Sequence, residues 1–130
     1  MVGLVLVTHA GVAEELLKAA EMIVGTMDDV EAIGIRPGEQ AERVMDAIAG
    51  AVKRFAQEGA VIMTDMFGGT PSNMSLSFLE NDRIEVLTGV NLPMVIKFAT
   101  ERHKSSIAEL AKSLKECGRE SIAVAGDYLK

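Results

Sequence analysis

Ala60-Val61-Ile62-Met63-Thr64-Asp65-Met66-Phe67-Gly68-Gly69-Thr70-Pro71-Ser72-Asn73 is the stretch that decides the fold. Ala60 to Thr64 is an apolar run, too short for a helix. A run without polar alternation reads as a strand covered on both faces, the habit of a parallel sheet. Asp65 ends it and Gly68-Gly69 turn the chain. Thr70-Pro71 then offers N-cap and N1 chemistry for a helix, with Met74, Phe78 and Leu79 as its expected inner face.

The same grammar repeats on either side. Val2 to Val7 is a second buried strand, and it stops at Thr8-His9-Ala10-Gly11. Helical spacing over Val12 to Val24 follows, with Glu14 and Glu15 in the first turn and Gly25 as the stop. Val30 to Arg36 is a strand broken by Pro37-Gly38-Glu39, and a helix is expected from about Gln40 to Gln57. Ile84 to Thr88 is the fourth strand. Leu92-Pro93 opens a helix to about Thr100, and Ser106 to Glu116 forms another, with Gly118 as its stop. Ser121 to Ala125 reads as a short fifth strand, either parallel, antiparallel at an edge, or lent to a partner subunit. The alternation predicts a single α/β domain over 1–130, doubly wound, with a mostly parallel four-stranded sheet and helices on both faces.

Composition narrows the function classes. The 130 residues carry a net charge of −6, which disfavours nucleic acid and anionic membrane as partners. Aromatics are 4 % and there is no tryptophan, so stacking platforms for bases or sugars are not expected. The lone Cys117 permits no internal disulfide and reads as a small core residue. The apolar N-terminal run is too short to span a bilayer and lacks the features of a signal peptide. The expected location is the cytoplasm.

Ligands of open α/β sheets gather beyond the carboxyl ends of the strands. There the sequence puts His9, Asp65 and the glycine turn. A carboxylate bonded to one ring nitrogen fixes the tautomer and leaves the other nitrogen nucleophilic. A free imidazole has a pKa of about 6.5, so its neutral form is available near pH 7. Gly68 and Gly69 allow close backbone approach, and Thr70, Ser72 and Asn73 offer hydroxyls and helix N-terminal N–H groups to an anion. These parts suit a phosphoryl group carried on histidine, with His9 and Asp65 catalytic. No cofactor and no metal is called for: His9, Asp65 and a solvated His103 do not make a ligand set.

Leu4-Val5-Leu6-Val7-Thr8-His9, Pro37-Gly38-Glu39, Thr64 to Asn73 and Gly89-Val90-Asn91-Leu92-Pro93-Met94 occur in this order over essentially the whole chain. Together they resemble the IIA component of the mannose family of the bacterial sugar phosphotransferase system (PTS). The resemblance implies a phosphotransferase that takes a phosphoryl group on His9 from the histidine-containing phosphocarrier protein HPr. It then passes the group to a separate IIB component, which serves a membrane complex of IIC and IID. It also implies that Asp65 holds the ring, that the loop from Gly68 to Asn73 lies beside the phosphoryl group, and that a homodimer exchanges an antiparallel strand, here Ser121–Ala125. Ala10 stands where many relatives have glycine, and Phe67 where some have tryptophan. A regulatory phosphoprotein without onward transfer would share every motif. A receiver domain phosphorylated on Asp65 would need an acidic pair where this chain has Thr8-His9.

Overall fold

The computed structural model describes residues 1–104 and 106–129, so positions 105 and 130 of the expected domain lie outside the described residues. Four strands form one all-parallel sheet in the order β2-β1-β3-β4. They are β1 (Gly3–His9), β2 (Val30–Ile35), β3 (Ala60–Thr64) and β4 (Ile84–Thr88). β1 and β3 lie in the middle and are the two most deeply buried strands. That is why their sequences show no polar alternation.

The helices are α1 (Val12–Val24), α2 (Ala41–Arg54), α3 (Gly69–Leu76), α4 (Leu92–Glu101) and α5 (Ile107–Glu120). Alternate residues of the strands feed two cores. Leu4, Leu6, Val61 and Met63 pack with α1, α4 and α5, around Phe98, Leu110 and Leu114. Val5, Val7, Ile62 and Ala60 pack with α2 and α3, around Val44, Ile48 and Phe55. Burying the large aliphatic side chains contributes about 2 kcal/mol each before conformational entropy is charged against it.

Several features differ from expectation. Gly118 does not stop α5, which runs on to Glu120. A Cβ at Gly118 would lie 2.5 Å from the Met94 sulfur, so this glycine is there for the crossing of α5 over α4. The fifth strand expected at Ser121–Ala125 is not formed. Ser121 caps α5, residues 122–124 join no ladder, and Ala125–Leu129 make a 3₁₀ turn. A strand exists only through its neighbour, and no strand among the described residues pairs with that segment. Leu79, expected on the inner face of α3, is exposed, whereas Met74 and Phe78 pack on the second core.

The amino end of the sheet is closed by a buried arginine in a charged stretch of the chain. Arg102 is 4 % exposed. Its Nε and Nη2 donate to the Val2 carbonyl, Nη1 to Asp28 and Nη2 also to Asp29, at 2.6–3.2 Å. Its guanidinium lies 4.8 Å from the Phe98 ring centre. Burial pushes the guanidinium below its ordinary pKa, and the nearby Asp29 and Asp28 work against that shift.

Candidate functional site

The strand order sets the site. The chain leaves β1 for β2 on one side and later returns to β3 on the other. The sheet therefore changes direction between β1 and β3, where their carboxyl ends leave a crevice. His9 is the last residue of β1, and Asp65 follows the last residue of β3. Pairing of Val7 with Thr64 sets the two strand ends side by side.

Asp65 meets His9 twice through one oxygen. Its Oδ2 accepts the His9 backbone N–H at 3.0 Å and lies 2.8 Å from ring Nδ1. A carboxylate oxygen opposite Nδ1 favours the tautomer with the proton on Nδ1 and the lone pair on Nε2. His9 is 49 % exposed and Asp65 20 %, so the acid lies behind a ring that faces solvent. The backbone at His9 and its side chain are thus held by the same group, 56 residues away in sequence.

The glycine turn packs against the free side of the ring. A Cβ on Gly69 would stand 3.3 Å from Cε1 and 3.5 Å from Nε2 of His9. Gly68 and Gly69 both have positive φ, near 80°. Only glycine takes such angles without cost. The helix cap is Gly68 rather than Thr70, and no side chain caps α3. Its first-turn N–H groups therefore have no side-chain cap. Ser72 is fully buried and its Oγ has no hydrogen-bond partner; Asp65 Oδ1 is likewise buried and unpartnered. Such orphans cost about 1–3 kcal/mol each unless something completes them. Thr70 and Asn73 are exposed on the same turn. All seven residues singled out in the sequence thus fall on two adjacent segments.

Other residues frame the site, and some escaped sequence reasoning. Thr8 is buried, and its Oγ1 accepts the Ala13 N–H at 2.7 Å, which ties the start of α1 to the His9 segment. A threonine placed just ahead of a helix start was the available signal. Ala10 has φ of 46°, the left-handed region that disfavours any side chain. The rim carries Met66 and Phe67, the latter 77 % exposed. His103 is exposed and follows Arg102, so it lies at the opposite end of the sheet from His9. Cys117 is half-buried, with its thiol toward the Pro93 carbonyl at 3.7 Å. Among the described residues no helix is long and apolar enough to cross a membrane.

Comparison with known proteins identifies the family and the fold. The family model described as PTS system fructose IIA component matches residues 3–115. The PTS system mannose-specific EIIAB component of Escherichia coli K12 is 35 % identical over 93 % of this chain. The match spans only 38 % of that longer protein. The sorbose-specific EIIA component of Lacticaseibacillus casei is 30 % identical over 90 % of this chain and 86 % of its own. The crystal structure of phosphotransferase system component EIIA from Streptococcus agalactiae superimposes with a TM-score of 0.90 at 25 % identity, covering 98 % of this chain and 99 % of that one. A strand-end histidine braced by a carboxylate, on this fold and with these relatives, means that the chain belongs to the mannose/fructose-type IIA family of the sugar phosphotransferase system.

Proposed function

We propose that this protein is a phosphoryl carrier whose acceptor atom is Nε2 of His9. The single observation that supports this best is the 2.8 Å contact between Nδ1 and Asp65, which leaves Nε2 as the nucleophile. The phosphoryl donor is HPr, carrying its own phosphohistidine. The Nε2 lone pair attacks phosphorus, the donor's P–N bond breaks, and that electron pair returns to the donor's ring. Nδ1 of His9 keeps its proton. Positive charge spreads over the imidazole, and Asp65 offsets it through a charge-assisted hydrogen bond.

The transferred group comes to rest against the first turn of α3. Backbone N–H groups there, the hydroxyls of Ser72 and Thr70, the amide of Asn73 and the space left by Gly68 and Gly69 receive its oxygens. Transfer then runs on to a IIB component in the cytoplasm, which serves the membrane IIC and IID components. The exposed Met66 and Phe67 give each protein partner an apolar rim to dock on. A further element of this reading is a homodimer. The outer side of β4 has no strand beside it among the described residues, and Ile122, Val124 and Tyr128 of the tail are exposed. In a pair of chains the tail of one copy lies along β4 of the other, which would complete the fifth strand expected from the sequence.

Incubation with phosphorylated HPr, followed by mapping of the modified residue, tests the carrier role. The expected product is one acid-labile, alkali-stable phosphate on His9. Label on Asp65, lost in alkali, or no label at all would refute it. Sedimentation of the whole chain against a variant truncated after Ser121 tests the dimer, with a monomer expected only for the truncation.

A further inference from the structure

We propose that Gly34 is a positioning residue for His9: by lacking a side chain it lets the Ala10 carbonyl fold over β2 and so fixes where the imidazole stands. This deepens the carrier role proposed above and rests on it. Gly34 lies in β2, where it pairs with Thr8, and its neighbour Ile35 pairs with His9. A Cβ built on Gly34 would overlap the Ala10 carbonyl oxygen and come within 2.9 Å of Glu14 Oε1. The carboxylate can swing away because it ends a flexible side chain. The carbonyl cannot, because the Ala10 N–H is bonded to the Ile35 carbonyl at 2.9 Å and its φ is already held at 46°.

His9 thus hangs between two tethers. On one side its own N–H is bonded to Asp65, beyond β3. On the other, the residue after it is bonded to β2. An ordinary C···O contact needs about 3.3 Å. A methyl group at position 34 therefore forces the turn and the strand apart, and the displacement is passed to His9 and its 2.8 Å contact with Asp65. Misplacement on the order of 1 Å can cost about 100-fold in a positioned reaction. Gly34 touches no reacting atom and acts only through the turn.

The experiment compares wild type, Gly34→Ala, Gly34→Ala with Ala10→Gly, and Gly50→Ala. Gly50 is an exposed position in α2 where an added Cβ meets nothing, so it serves as the control. Two quantities are read: single-turnover phosphoryl transfer from phosphorylated HPr, and the ring ¹⁵N shifts of His9 without phosphate. Gly34→Ala is expected to slow acceptance by about tenfold or more and to move the His9 ring shifts. Adding Ala10→Gly, which lets the carbonyl turn aside, is expected to restore most of the rate. Gly50→Ala should match wild type. If Gly34→Ala is too unstable in buffer, all four chains are compared in a stabilising osmolyte. A wild-type rate with unmoved shifts in Gly34→Ala overturns the proposal, and so does a slow variant that Ala10→Gly does not rescue. If wild type itself takes no phosphate, the carrier role fails. The ring shifts then decide the positioning role alone: shifts that move in Gly34→Ala and return with Ala10→Gly support it, and any other pattern overturns it.

Discussion

The two ends of the parallel sheet are built to opposite rules. At the amino end, one buried arginine joins three backbone carbonyls from two separate segments and lies against an aromatic ring. At the carboxyl end, two buried oxygens, Asp65 Oδ1 and Ser72 Oγ, have no partner, and Ala10 sits at a disfavoured backbone angle. The first end is finished and holds the fold. The second is left incomplete, which is what a site that must receive a group requires.

That contrast can be broken at either end. His9→Ala should abolish phosphoryl acceptance entirely and leave the urea midpoint close to wild type; labelling that persists would refute the site. Asp65→Ala should slow acceptance by about 100-fold without stopping it, since the nucleophile remains. Stopped-flow or quench kinetics would read this, and unchanged kinetics would remove Asp65 from the reaction. Arg102→Met should cost about 3 kcal/mol or more, because the Val2, Asp28 and Asp29 carbonyls lose their donor. Acceptance by the folded fraction should not change. A small loss of stability would show that the clasp is ornamental.

Two smaller effects sharpen the comparison. Ser72→Ala should slow acceptance several-fold yet leave stability equal or slightly raised, as an unpartnered hydroxyl is removed from the interior. A clear drop in stability would mean that the hydroxyl already has a partner in solution. Ala10→Gly should raise stability by about 0.5–1 kcal/mol, the left-handed cost of a side chain less the entropy of glycine. Thermal melts at equal concentration check it.

Much of this was legible in the sequence, for a physical reason. β1 and β3 are buried on both faces, so their apolar runs announce them without help from neighbours. The His9–Asp65 meeting follows from topology once those strands are adjacent. What stayed hidden depends on contacts between distant segments. Gly118 looks like a helix stop until Met94 is seen beneath it. Arg102 looks solvated until the carbonyls of Val2, Asp28 and Asp29 converge on it. Thr70 looks like a cap, but the turn at Gly68 and Gly69 brings the backbone in at positive φ and moves the cap back two residues. The tail reads as a strand because its residues favour one, whereas pairing is a property of the neighbour.

The double contact of Asp65 with His9 joins parts of the chain that are far apart along the polypeptide. A chain in which β1 and β3 have not yet met already possesses the imidazole but lacks its acid. The pairing of the imidazole with its acid therefore arrives when β1 and β3 come together rather than with the synthesis of the histidine.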